Sequence, residues 1–157
     1  MSQSFLQTFT GYRFVLRDTA FISFIIANIT MLIVYQQMYG SLSVYIRDFH
    51  GLTPQHYGWL MMTSAITVVI FQFWLTRTIK HRPPFLMMAF GTIFYAIGFF
   101  LFGFFTTFIL FALNIVIITI GEMIVVPTSQ SLVANFAPDD MRGRYMAIYD
   151  LGWTLPA

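Results

Sequence analysis

Long apolar runs separated by short polar stretches dominate this sequence. Five such runs can be distinguished, and they occupy about residues 19–46, 53–76, 85–105, 108–136 and 141–157. Each of the first four is long enough for a helix to cross about 30 Å of hydrocarbon, which takes roughly 20 residues. The fifth is cut off at Ala157. The pattern predicts an all-α fold, a polytopic transmembrane helix bundle with four complete spans and the start of a fifth.

Short local signals mark the ends of these runs. Thr53-Pro54 opens the second run, because Thr can cap a helix and Pro suits its first turn. Pro83-Pro84 ends the same run after a basic cluster. Residues 1–17 mix polar and aromatic side chains, and we expect them to form a cytoplasmic, interfacial leader.

The composition excludes a soluble globule. Only 9% of the 157 residues are charged and 58% are hydrophobic, whereas a soluble domain carries about 25% charged residues. So few charges cannot cover a surface that faces water, and the lipid bilayer is the first predicted partner. The chain has no cysteine, which excludes a disulfide framework, a cysteine metal site and a thiol nucleophile.

The basic residues predict the orientation of the chain. With the N-terminus in the cytoplasm, seven of the eight Lys and Arg residues fall in cytoplasmic segments: Arg13, Arg17, Arg77, Lys80, Arg82, Arg142 and Arg144. Only Arg47 then lies outside. Cytoplasmic loops of membrane proteins carry such an excess. We therefore expect an integral membrane protein with a cytoplasmic N-terminus, in a plasma membrane of the bacterial type.

Polar side chains line one side of three of the four predicted helices. The aligned positions are Asn28, Tyr35, Gln36, Tyr39 and Ser43 on the first, His56, Thr63, Thr67 and Trp74 on the second, and Asn114, Glu122 and Ser129 on the fourth. The third helix has few polar groups, and we expect its Gly91, Gly98 and Gly103 to allow close packing against a neighbour. The stripes indicate either a solute cavity or hydrogen bonds between helices without any transported solute.

Glu122 stands out within the fourth run. It lies about fourteen residues from either end, which at about 1.5 Å per residue is near the bilayer midplane. An ionised carboxylate there costs at least about 2.5–3.5 kcal/mol, so the protonated form is favoured. A group that binds and releases a proton suits proton coupling, and the aligned Asn114 is a further candidate. Alternatively, Glu122 stays neutral and bonded to a neighbouring helix, or pairs with a cation.

Other features each allow two interpretations. Pro127 removes one backbone hydrogen bond from the fourth helix, either as a packing kink or as a bending point for alternating access. Arg77, Lys80 and Arg82 either anchor the cytoplasmic interface or pair with carboxylates at helix ends. A compact mixed-charge turn precedes the fifth helix. Its acids stabilise the N-terminus of that helix through the helix dipole. The turn consists of Asp139, Asp140, Arg142, Gly143 and Arg144.

Enzyme signatures are absent from the sequence. There is no nucleophile elbow, HExxH motif or phosphate loop, and His50 and His56 are too isolated for a metal site. We therefore expect that the protein is not an enzyme and that it binds no metal, cofactor or nucleic acid. We expect protons to be its coupling ion.

Several stretches resemble the major facilitator superfamily. They are Arg17-Asp18, Tyr45-Ile46-Arg47-Asp48, Leu52-Thr53-Pro54, the basic loop from Arg77 to Arg82, Gly121-Glu122 with Pro127, and the turn from Pro138 to Arg144. The last stretch is the most specific and is similar to the drug and proton antiporter branch. The basic loop departs from the family signature because it lacks the glycines and the acid, and Thr76 stands about where the acid would be.

The resemblance implies a partial major-facilitator half. Family members have two six-helix halves around a central cavity, and this chain is similar to helices seven to ten of the second half, with the start of eleven. It implies a segment of a secondary transporter that moves small solutes such as drugs by alternating access. Asn28, Tyr35, Gln36 and Glu122 then line the cavity, and the missing remainder of the transporter is a partner. The other hypothesis is a truncated, non-transporting membrane protein or an assembly subunit.

Site-directed labelling tests the predicted orientation. Because the chain has no cysteine, Lys80→Cys and Asp48→Cys each report on one loop. In sealed vesicles we expect an impermeant thiol reagent to reach the two positions from opposite sides of the membrane. Labelling of both positions from the same side would contradict the proposed threading.

Overall fold

The fold was obtained as a computed structural model that describes residues 11–154, and within that range every regular element is a helix. The helices are α1 (Thr19–Gln36), α2 (Ser41–His50), α3 (Pro54–Ile79), α4 (Pro84–Leu101), α5 (Phe108–Phe136) and α6 (Arg142–Thr154). Four stretches are long and apolar enough to cross a membrane: Thr19–His50, Pro54–Ile79, Pro84–Leu101 and Phe108–Phe136. The predicted all-α class with four spans is confirmed. Residues 1–10 of the predicted leader and residues 155–157 lie outside the described residues.

The first apolar run is not one continuous helix. A turn at residues 37–40 separates α1 from α2, and Gly40, a poor helix former, lies at its end. The backbone N–H of Leu42 donates to the Gln37 carbonyl at 2.9 Å, so the Met38 carbonyl does not receive the hydrogen bond that it would have in a regular helix. The Tyr57 hydroxyl donates to that Met38 oxygen at 3.1 Å. A side chain from α3 therefore satisfies a backbone group that the interruption releases.

The polar stretch after Ile46, expected to end the first run, is helical up to His50. Gly51 ends α2 in the left-handed conformation, with φ of 65°. The N–H of Gly51 donates to the Arg47 carbonyl and the N–H of Leu52 to the Ile46 carbonyl, both at 3.1 Å. The Gly51 bond is the single bond of an αL cap, which favours a residue without a Cβ at the left-handed position. The glycine, rather than the charged residues before it, terminates the helix.

The start of α3 follows the sequence signal, with Thr53 as the N-cap and Pro54 as the first helical residue. The Thr53 backbone N–H donates to the imidazole Nδ1 of His56 at 3.2 Å. His56 therefore has a structural role at this cap. The third span is shorter than expected: α4 ends at Leu101, and residues 102–107 connect it to α5.

The chain forms two compact units, Met1–Gln36 with Gln130–Ala157, and Gln37–Ser129. The first unit has an apolar core made of Val15, Phe21, Ile25, Val133, Ala137, Tyr145 and Tyr149. Asp18 links α1 to α6 there, because its carboxylate accepts the Phe21 N–H at 3.1 Å and the Tyr145 hydroxyl at 2.9 Å. One acid thus caps α1 and holds α6 beside it.

Glycines allow α4 and α5 to pack closely in the second unit. A Cβ on Gly121 would lie 2.9 Å from the Gly91 carbonyl oxygen, and a Cβ on Gly91 would overlap the Val125 side chain. A Cβ on Gly98 would overlap Ile118. The predicted close packing is confirmed for Gly91 and Gly98. It is wrong for Gly103, which follows the end of α4 and where a Cβ would meet only the Phe100 carbonyl oxygen at 3.6 Å.

Substitution of these glycines tests the packing. We expect Gly91→Ala to lower the free energy of unfolding by about 1–3 kcal/mol, because the added methyl group overpacks the contact with Val125. Gly58→Ala, within α3, is the matched control, since nothing lies within 4 Å of its Cβ position. The control should be neutral or raise stability by up to about 1 kcal/mol. Reversible unfolding in mixed micelles measures both, and equal effects would contradict the close contact.

Candidate functional site

The fourth membrane helix, α5, carries the most distinctive candidate residue. Half of its most apolar stretch is buried, against 28% or less in the other three spans. Glu122 is half-buried at the midpoint of α5. Its neighbour Gly121 approaches the backbone of α4 at Gly91. Close packing of α4 and α5 therefore fixes the backbone next to Glu122.

Two hydrogen bonds join α5 to the neighbouring helices of its unit. The Asn114 side-chain amide donates to the Gly98 carbonyl of α4 at 2.8 Å. The Thr119 hydroxyl donates to the Ser64 hydroxyl of α3 at 2.9 Å, and both residues are buried. At about 100° per residue, Glu122 falls between the face that Asn114 turns to α4 and the face that Thr119 turns to α3. The acid therefore shares the side of α5 that faces these two helices, one turn beyond Thr119 and about two turns beyond Asn114.

Asn114 therefore makes a helix-to-helix hydrogen bond, one of the two interpretations that its sequence position allowed. Its residue is fully buried, and its Oδ1 atom has no hydrogen-bond partner within the part of the chain that the structure describes. A buried acceptor without a partner costs about 1–3 kcal/mol. The side chain thus combines one strong structural contact with an open acceptor near the middle of the unit.

The candidates on the first helix lie in the other unit. Asn28 and Tyr35 are buried on the face of α1 that also carries Phe21, Ile25 and Leu32, and Gln36 is half-buried at the end of α1. The Tyr35 ring meets the Trp153 ring of α6 edge-on, with centroids 6.3 Å apart. Tyr39, predicted on the same side, is 50% exposed and lies in the turn at residues 37–40.

The positions predicted to align on the second span differ in burial. Thr67 is buried, whereas Trp74 is 67% exposed. Ser64 is also buried on α3, and its hydroxyl accepts the hydrogen bond from Thr119. Neither Ser64 nor Thr119 is distinguished by its spacing, since single hydroxyl residues are common in membrane helices. Their pairing becomes visible only when α3 and α5 are brought together.

The loop residues divide into paired and unpaired charges. Asp139 and Arg142 form an ion pair of 2.9 Å at an exposed position, where such pairs contribute about 1 kcal/mol or less. The Arg144 guanidinium occupies the space beside Gly11, where a Cβ would overlap it. The remaining motif positions are exposed on the described surface: Arg77, Lys80, Arg82, Asp140 and Gly143. Pro127 lies inside α5, which continues through it as one helix.

The helices and the contacts between them define a class of protein. Apolar helices of membrane-crossing length, with polar groups at the contacts between them, form an integral membrane protein. Residues 2–157 match the Major Facilitator Superfamily, and the chain belongs to that superfamily. The chain therefore belongs to a family of membrane transporters.

Two relatives illustrate the likeness. A protein of Planococcus maritimus named "Na(+), Li(+), K(+)/H(+) antiporter" is 25% identical over 158 residues, covering 92% of this chain and 37% of that protein. The "Uncharacterized MFS-type transporter YdeE" of Escherichia coli strain K12 is 28% identical over 97 residues, covering 60% of this chain and 24% of that protein. The chain spans little more than a third of either relative at most.

A double-mutant cycle tests the contact between α3 and α5. We expect Ser64→Ala and Thr119→Val to show a coupling free energy of about 0.6 kcal/mol, the average for hydrogen bonds between membrane helices. Thr119→Val combined with Thr78→Val is the control, because the exposed Thr78 hydroxyl donates to the Trp74 carbonyl of its own helix at 3.0 Å. The control pair should be additive in unfolding measurements. Additivity of the Ser64 and Thr119 pair would show that the bond contributes nothing.

Proposed function

We propose that this chain is part of a proton-coupled antiporter that works by alternating access, in which Glu122 binds the coupling proton. The position of Glu122 is the observation that carries the proposal. It is the midpoint of the most buried span, where an ionised carboxylate costs at least about 2.5–3.5 kcal/mol. A proton removes that cost, so a change in water access changes whether the proton stays bound.

The surroundings of Glu122 support this role. The acid follows Thr119, which contacts α3, by one helical turn on α5, and follows Asn114, which contacts α4, by about two. A shift of either neighbouring helix would therefore alter the environment of the carboxyl group. Pro127, five residues further along α5, removes a backbone hydrogen bond at which the helix can bend. Rocking of two transporter halves supplies such a shift in proteins built from repeats.

The transported solute is a small cation or a drug-like molecule exchanged for protons. The drug branch is implied by the stretch from Pro138 to Arg144, and monovalent cations by the name of the Planococcus relative. We propose the bacterial plasma membrane as the location, with the N-terminus in the cytoplasm. The other candidate is a non-transporting membrane protein or an assembly subunit.

Removal of the proposed proton site gives a direct test. The full-length protein is reconstituted in sealed liposomes with a pH dye inside, and Na⁺, Li⁺, K⁺ or cationic drugs are added outside. We expect proton movement with at least one solute in the wild type, and a fall to the rate of empty liposomes in Glu122→Gln, whose amide cannot take up or release a proton. Glu122→Asp should retain part of the exchange.

Asp48→Asn is the control, because it also removes one carboxylate but at an exposed position outside the proposed site. Its exchange should equal that of the wild type. Unchanged exchange in Glu122→Gln would end the proposed role of this acid. The absence of exchange in the wild type with every solute would favour the non-transporting alternative.

A further inference from the structure

Positive charge is concentrated where α3 ends and its connection to α4 begins. Arg77 in the last turn of α3 and Lys80, His81 and Arg82 directly after the helix are all exposed, and we call these four residues the basic turn. The ion pairs found among residues 11–154 are Arg47 with Asp48 and Arg142 with Asp139. None of them involves the basic turn. Its charges thus face outward without an acid from the described part of the chain.

The backbone holds these cations close together. The Lys80 N–H donates to the Thr76 carbonyl at 3.1 Å, and the Arg82 N–H to the Ile79 carbonyl at 2.9 Å. Pro83 and Pro84 then start the next helix at once. Basic groups at this place are also favoured by the partial negative charge at the C-terminal end of α3. The turn is a short, ordered platform rather than a long, mobile loop.

Exposed aromatic rings lie on the membrane side of the basic turn. Phe73 is 81% exposed and Trp74 is 67% exposed, and Phe85 on α4 is likewise uncovered. Arg77 follows Phe73 by four residues and Trp74 by three, so the three side chains share one face of α3. At about 1.5 Å per residue, Lys80 lies roughly 10 Å beyond Phe73 along the helix. The order from bilayer to water is therefore ring, then cation.

We propose that the basic turn and the rings of Phe73, Trp74 and Phe85 form a binding site for one anionic phospholipid of the cytoplasmic leaflet. The phosphate-containing headgroup lies against Arg77, Lys80 and Arg82, and the upper acyl chains lie against the rings. Clusters of Lys and Arg beside a membrane helix attract anionic lipid, and Trp is enriched at the membrane–water interface. A soluble phosphate would use the cations but leave the rings without a function. This inference is independent of the proposed proton site.

Quenching of Trp74 by brominated lipid measures the proposed contact. The full-length protein is placed in nanodiscs that contain either brominated phosphatidylglycerol or brominated phosphatidylcholine at equal mole fraction. The Trp74 contribution is the fluorescence of the wild type minus that of Trp74→Phe, which keeps an aromatic ring. We expect anionic lipid to quench this contribution at a lower mole fraction than zwitterionic lipid.

Charge removal separates this site from general lipid contact. In the triple variant Arg77→Gln, Lys80→Gln and Arg82→Gln, the preference for anionic lipid should fall by at least about fivefold, the effect of one Lys or Arg near an anionic surface. Arg47→Gln is the control, since Arg47 is paired with Asp48 at 2.7 Å and should leave the preference unchanged. Circular dichroism and thermal unfolding verify that both variants fold.

Three results would overturn the proposal. One is equal quenching of wild-type Trp74 by the two lipids, and another is a preference that survives in the triple variant, as expected if the basic turn pairs with acids elsewhere in the full-length protein. The third is loss of the anionic-lipid preference on adding soluble glycerol phosphate, which would identify a site for a free phosphate compound.

Discussion

Hydrocarbon offers no hydrogen-bond partner, so the backbone N–H and C=O groups that enter it must be paired inside the protein. This constraint explains the all-helical backbone and also its exceptions. Where α1 gives way to α2, the Tyr57 hydroxyl bonds the Met38 carbonyl that the turn releases. Where α2 ends, Gly51 allows two backbone bonds back into the last turn. Local breaks in the helices are tolerated because a nearby group supplies the missing bond.

The same constraint gives meaning to the polar side chains. Asn114 and Thr119 direct their hydrogen bonds to neighbouring helices, and Asp18 bonds the Tyr145 hydroxyl. These contacts are possible because the helices approach closely, most clearly where Gly91 and Gly121 bring two backbones together. An acid at the midpoint of α5 can lower its own cost by taking up a proton, which a hydroxyl or an amide has no need to do. That difference in chemistry sets Glu122 apart from the other polar residues.

The two kinds of charge in the chain have different physical consequences. A single carboxyl group within the membrane is sensitive to water access, so it suits coupling between proton binding and conformational change. Basic side chains at a helix turn, without an acid partner in the described part of the chain, suit attraction to an anionic surface. Membership of the major facilitator superfamily is consistent with both, since such a transporter needs an internal site that changes state and an orientation in the bilayer that does not.

The sequence by itself determined the helical class, the number of spans, the cap at Thr53 and the position of Glu122 along α5. A long apolar run in lipid forms a helix because a helix pairs its own backbone groups, and the length of the helix follows from the number of residues. It could not reveal the turn at residues 37–40, since the Tyr57 bond that supports it comes from another helix. It also missed the hydrogen-bonded pair of Ser64 and Thr119. Those features were decided only by the tertiary structure, because spacing along one helix specifies which residues share a face but not which helix that face will meet.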